Sequence, residues 1–144
     1  MSETLVQKLI KRPCITLDEN SSIQNLVDIL NKNKVGCAVV TALNANYPVG
    51  IISERDLVRN YKKIFNDNKI KVKDVMTTNI IFCNKNTSSK ELMKIMSENK
   101  IRHIPIIEQK KLLGIVSIGD VVNRIIENYA YETNRGLVEP RDKT

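Results

Sequence analysis

The chain has no tryptophan, two phenylalanines and four tyrosines, so aromatic residues make up only 4% of its 144 positions. Proteins that track single-stranded nucleic acid interleave stacking aromatics with basic groups. The densest basic stretch here, KKIFNDNKIKVKD, carries Phe65 alone and is interrupted by Asp67 and Asp74. Neither a recognition-helix motif nor zinc-finger spacing is present. Histidine occurs once, as His103, which excludes a metal centre built from histidines. The three cysteines, Cys14, Cys37 and Cys83, lie far apart and form no CxxC pair. An odd number of scattered thiols in apolar surroundings suits a reducing compartment, so a cytoplasmic protein is expected. No apolar run approaches the roughly 20 residues of a membrane span. The opening MSETLVQKLIKRP contains an acid and no continuous apolar core, unlike a signal peptide.

The composition that remains, 42% hydrophobic and 27% charged, is that of a soluble globular protein. The formal charge of +7 fits either a solvated lysine-rich surface or an anionic partner: a nucleotide, nucleic acid or an acidic protein.

The chain repeats itself. A shift of 66 carries Ile15–Val40 onto Ile81–Ile106 and superposes Ile15, Asn20, Ser22, Leu26, Ile29, Asn33 and Lys34 on identical residues. Beyond the turn LNANYP, which is two residues longer in the first copy, the shift becomes 64 and GIISERD (50–56) meets GIVSIGD (114–120). In each copy a short apolar run, CITL or IIFC, reads as a strand. NSS or NTSS then opens a helix, with Gln24 and Glu91 three residues after Ser21 and Ser88 as in a capping box. The branched runs VGCAVV and IRHIPII, then VGIIS and LGIVS, read as two further strands. A second amphipathic helix follows, with Leu57, Val58 and Tyr61 apolar in one copy and Val121, Val122, Ile125 and Ile126 in the other. One such unit is too small to bury a stable core alone, whereas two packed together can. The expected fold is α/β: two pseudo-symmetric strand-helix-strand-strand-helix units, residues 5–62 and 74–130. A charged linker joins them at 63–73, and a polar tail occupies 131–144.

The repeated Ser-x-x-Asp admits two readings. Ser53 and Ser117 end a strand and begin a helix, so serine and aspartate can form a capping box with no ligand involved. The same geometry offers backbone N–H groups and a hydroxyl to a phosphate, and a carboxylate to the two hydroxyls of a ribose. Gly50 and Gly114 open these strands, where a missing side chain lets another group come close.

The paired units with GIISERD and GIVSIGD, together with DVMT (74–77) and RHIP (102–105), resemble a tandem pair of CBS domains, or Bateman module, over roughly residues 5–130. With no room for an attached enzyme, the chain resembles a stand-alone CBS-pair protein. The resemblance implies a regulatory module that senses adenine nucleotides (AMP, ADP, ATP or NAD) or S-adenosylmethionine in two clefts, signals to a partner protein and forms a homodimer. No other cofactor, no metal and no membrane partner is expected. It places Asp56 and Asp120 on the ribose and Ser53 and Ser117 on the phosphates, with Arg55 beside them in the first copy, where the second has Gly119. It places the base against Gly36, Cys37 and Ala38 in one copy and Arg102, His103, Ile104 and Pro105 in the other. Cys14, Thr16, Ile80 and Phe82 of the leading strands complete that wall. Threonine is frequent in the family at the position of Thr16, but the second copy has Phe82, and the first copy lacks an Arg-His pair. The two clefts should therefore differ, with the one carrying Ser117 and Asp120 expected to bind better.

Two other functions compete: a ligand-free dimerisation scaffold, and nucleic-acid binding through the basic surface. An enzyme is the least expected, since no nucleophile–base pair stands out and His103 has no adjacent carboxylate. Val122, Ile125, Ile126 and Tyr129 form a stripe longer than the core requires, which fits a dimer contact.

Overall fold

A computed structural model describes residues 5–10, 14–43 and 45–134. In the first copy β2 (Cys37–Thr41) pairs antiparallel with β3 (Pro48–Ser53), while β1 (Thr16–Asp18) adds in parallel along the other edge of β2. The central strand β2 is buried at Cys37 through Val40; its neighbour β3 alternates buried and half-buried residues, as a strand with one wet face must. In the second copy β4 (His103–Glu108) pairs antiparallel with β5 (Lys111–Ser117). The helices are α1 (Ile23–Asn33), α2 (Glu54–Arg59), α3 (Tyr61–Asn66), α4 (Val72–Val75), α5 (Ser89–Asn99) and α6 (Ile118–Asn134). Helices α1 and α5 both end on a left-handed lysine, Lys34 and Lys100, each with φ of 54°.

Four details depart from the sequence reading. IIFC forms no ladder strand; it is reduced to one parallel bridge between Cys83 and Ile106. In the first copy Val39 N donates to Ile15 O at 3.0 Å. The repeat mate of Val39 is Pro105, which has no N–H to donate, so the equivalent bond cannot form. The N-cap of α1 is Ser22, accepting from Asn25 N, not Ser21. Ser22 is the residue that the shift of 66 pairs with Ser88, the N-cap of α5. Gln24 turns instead to Asp28, at 3.0 Å. Helix α6 continues through Asn134, four residues into the segment read as a polar tail, because no Gly or Pro interrupts before Gly136. The rest of that tail lies outside the described residues. The stretch read as a charged linker, 63–73, holds most of α3 and the start of α4.

Each core takes its closing segment from outside its own copy. A short 3-10 helix, Val6–Leu9, packs with Leu92, Met96, Ile104, Ile106, Val116 and Val121 in the second core. Val6 N donates to Thr87 O at 2.8 Å. Helix α4 reciprocates: Val72 and Val75 lie among Leu17, Leu26, Leu30, Ala38, Val40 and Ile52 in the first core, and Val72 N donates to Ser21 O at 2.9 Å. The shift of 66 maps Val6 on Val72 and Leu9 on Val75, so the exchange obeys the repeat. It also explains the two glycines. A Cβ on Gly50 would collide with the sulfur of Met76, and one on Gly114 would lie 2.9 Å from Ile10 Cγ2. Their missing side chains admit the exchanged segments.

Candidate nucleotide-binding cleft

The end of β3 and the start of α2 fix the first motif. Ser53 is the N-cap of α2, and its backbone N–H donates to Asp56 Oδ2 at 2.9 Å. Its hydroxyl donates to the same oxygen at 3.2 Å and accepts from Asp56 N at 3.4 Å. The second motif repeats this geometry: Ser117 N donates to Asp120 Oδ2 at 2.8 Å, and Asp120 N donates to Ser117 Oγ at 3.2 Å. Both Ser-x-x-Asp motifs are therefore complete capping boxes. In each carboxylate only Oδ2 is engaged; Oδ1 receives no donor from the described residues. The cap thus holds the carboxylate still with one oxygen free to accept from a ligand.

The helix start offers fewer amides than the sequence suggests. Glu54 N is taken by Gly36 O at 2.9 Å, and its repeat mate Ile118 N by Arg102 O at 2.9 Å. With Asp56 N bound to Ser53, Arg55 N is the first-turn amide left without an acceptor among the described residues. Any phosphate here must be held mainly by side chains.

A cavity of about 370 Å³ opens beside this motif. It unites Ser53, Arg55 and Asp56 of the first copy with Gly36 and Cys37 at the start of β2 and with Arg102 and His103 of the second copy. The sequence reading set Arg102 and His103 with Ser117 and Asp120; the fold brings them to the Asp56 side as well, because the starts of β2 and β4 meet at this cleft. Ser117 and Asp120 do not line the cavity, although Ser117 pairs with His103 across the β4–β5 ladder. This cavity belongs to the cleft of Asp56; Ser117 and Asp120 belong to the other cleft. Part of the second cleft's wall lies outside the described residues, since the repeat mates of Thr77 and Asn79 are Lys11 and Pro13.

The remaining wall residues separate by pleat. Ala38 and Ile104 are fully buried in the two cores, facing away from the cavity, and Pro105 is buried beside Ile104. Thr16 is exposed on β1, and Ile80 is half-buried; neither lines the cavity. Phe82, 55% exposed, also lies outside the lining. The apolar wall comes from Ile51, Ile81 and Ile101, and the polar rim gains Glu54, Arg59, Thr77, Asn79 and Lys100. One signal for Arg59 was its position four residues after Arg55, on the same helix face. Thr77 closes the DVMT motif, but its contact with the first copy depends on the α4 exchange: Ile51 and Thr77 bond each other's backbone twice at 2.9 Å. The thiol of Cys37 is pushed up to about 12 by burial first, then by Cys14 and by the Asp56 carboxylate. Burial lifts Cys14 to about 11. Both are uncharged thiols at neutral pH. Among the described residues no group of three or more His, Cys, Asp or Glu could hold a metal, and no helix is long and apolar enough to cross a membrane.

The CBS domain profile matches the chain twice, over residues 6–63 and 72–127. The chain belongs to the CBS domain family. Among curated relatives, the mitochondrial CBS domain-containing protein CBSX3 of Arabidopsis thaliana is 34% identical over 126 residues, covering 85% of this chain; the match spans 60% of that relative's length. Among solved structures, the CBS-domain protein ATU1752 from Agrobacterium tumefaciens is 34% identical with a TM-score of 0.76, over 85% of this chain and 93% of that one. The CBS domain protein PAE2072 from Pyrobaculum aerophilum, solved in complex with AMP, is 27% identical with a TM-score of 0.78, over 89% and 99%. The tandem CBS architecture of this chain is thus that of known CBS pairs.

Proposed function

We propose that this chain is a non-catalytic regulatory module that binds an adenine nucleotide in the Asp56 cavity and passes its occupancy to a partner protein. The observation that carries the reading is the cavity's composition: a capped carboxylate with a free oxygen, arginines from both copies, and an isoleucine wall. These suit ribose, phosphate and base in turn. The AMP complex of the related PAE2072 supports the same ligand class. Ser117 and Asp120 would serve a second cleft of the same design. Binding can regulate only if the nucleotide prefers one of two arrangements of the copies.

The module also pairs with itself. Val58 and Phe65 on α2 and α3 are exposed, and so are their repeat mates Val122 and Tyr129 on α6. Two matched apolar faces suit a symmetric dimer.

The thermal melt of the chain with AMP, ATP or NAD tests the reading. A ligand at 100 times its Kd adds about 2.7 kcal/mol of stability. Asp56→Asn keeps an acceptor for Ser53 N while removing the charge, so the melt without ligand should hold and the ligand-induced rise should collapse. No rise with any adenosyl compound at millimolar concentration would leave the ligand-free scaffold, which the ligand-independent capping boxes favour.

A further inference from the structure

The Asp56 cleft carries more positive charge than one ribose-phosphate needs. Arg55 and Arg59 stand one turn apart on α2, Lys100 caps α5, and Arg102 directly precedes β4; all four line the cavity. None of these side chains makes an ion pair or hydrogen bond with a described residue. Two carboxylates oppose them, Glu54 and Asp56, and one oxygen of Asp56 is engaged by the cap. Lys100 holds the left-handed conformation that favours glycine or asparagine, so the backbone gives no reason for a lysine there. The repeat provides an internal control. The mates of Arg55, Arg59, Lys100 and Arg102 are Gly119, Asn123, Lys34 and Gly36, so the same fold closes at these places with one cation instead of four.

We propose that the Asp56 cleft is specific for a nucleoside di- or triphosphate over the monophosphate, with Arg59 and Lys100 holding the phosphates beyond the first. The proposal rests on the nucleotide reading above. Arg55, beside the capped motif, serves the first phosphate. With the helix amides largely spent, discrimination among phosphate chain lengths falls to these side chains. All four are exposed, so each contact is screened: an exposed pair contributes about 0.2–1 kcal/mol, or up to about fivefold in affinity. Two such contacts give about tenfold between AMP and ATP, and salt should erode it.

The test is calorimetric titration of the full chain with adenosine, AMP, ADP and ATP, free of magnesium, at about 50 mM and 500 mM salt. The expected order is ATP, then ADP, then AMP, with ATP about tenfold tighter than AMP at low salt and the gap narrowing at high salt. The double variant Arg59→Gln, Lys100→Gln should bring ATP within about threefold of AMP and leave adenosine unchanged. Its unliganded melt confirms that it folds. AMP binding as tightly as ATP, or full ATP preference in the double variant, overturns the phosphate-length proposal and leaves the nucleotide reading standing. Binding of none of the four compounds overturns the phosphate-length proposal, and the nucleotide reading falls with it when NAD also fails to bind.

Discussion

Ser53 and Asp56 spend their polar groups on each other, and that makes one pair serve two ends. Removing an N-cap hydroxyl costs about 1 kcal/mol. Ser53→Ala should lower unfolding stability by about that much in urea, and should also weaken nucleotide binding, because the Asp56 carboxylate loses the hydroxyl that helps hold it. Unchanged stability would mean that the cap is not formed in solution. The cysteines make a second residue-scale prediction. Burial raises Cys37 from the usual 9.0 to about 12, and Cys14 and Cys83 to about 11. Below pH 9 folded and unfolded chains both carry thiols and nothing changes. Between about 9 and 12 the unfolded chain releases protons that the folded chain retains, so stability falls as pH rises. The melting temperature should drop over that window with a shallower slope in Cys37→Ala; equal slopes would show that this thiol ionises as easily folded as unfolded. Ser53 and Asp56 were legible from their spacing, and Arg55, Arg102 and His103 only through the resemblance to paired CBS domains; all five line the cavity. Asn79 and Lys100 were not, since each sits in a polar stretch that only tertiary contact turns toward the site.

Strands and helices follow local rules until the copies exchange segments. Periodicity located α1, α5 and α6 and the β2–β3 and β4–β5 ribbons. It could not show that Val6–Leu9 would close the second core and α4 the first, because an apolar run records that it is buried and not against what. Nor could a run of apolar residues reveal the missing Pro105 N–H that cuts IIFC to one bridge. The exchange has a measurable consequence. Leu9 is 1% exposed and belongs to the second core, so Leu9→Ala should destabilise the protein by about 2–5 kcal/mol in denaturant. Hydrogen exchange should rise first in β4, β5 and α5 rather than in the first copy, to which residue 9 is adjacent in sequence. Faster exchange confined to β1–β3 would mean the segment packs on its own copy. Gly50→Ala probes the reciprocal contact. Forcing a methyl against Met76 and Thr77 O, 3.1 Å from the new carbon, should cost about 1–3 kcal/mol.

At the scale of the whole molecule, the exchanged segments tie the two copies together, and the Asp56 cleft is lined by residues of both. A ligand that joins Asp56 of one copy to Arg102 of the other therefore acts on how the copies sit together, not on either alone. The exposed apolar faces lie on the helices that continue the motifs: α2 and α3 follow Ser53, and α6 follows Ser117. Val122 is 45% and Ile126 59% exposed, one turn apart on α6, and Tyr61 and Phe65 stack at 5.7 Å on α3. Charging that face separates dimerisation from folding. Ile126 is too exposed to hold the monomer together, so Ile126→Lys should leave the melting temperature of dilute protein within a few degrees. It should convert a dimer to a monomer in light scattering at about 100 µM, where an interface of ordinary size, about 1,200–2,000 Å², holds two chains together. Because α2 and α6 begin at the Ser-x-x-Asp caps, nucleotide binding should shift the dimer equilibrium, and the dimer should shift nucleotide affinity by the same factor. A wild-type chain that stays monomeric at that concentration, with or without ATP, would separate the cleft from any dimer and leave its signal to a different surface.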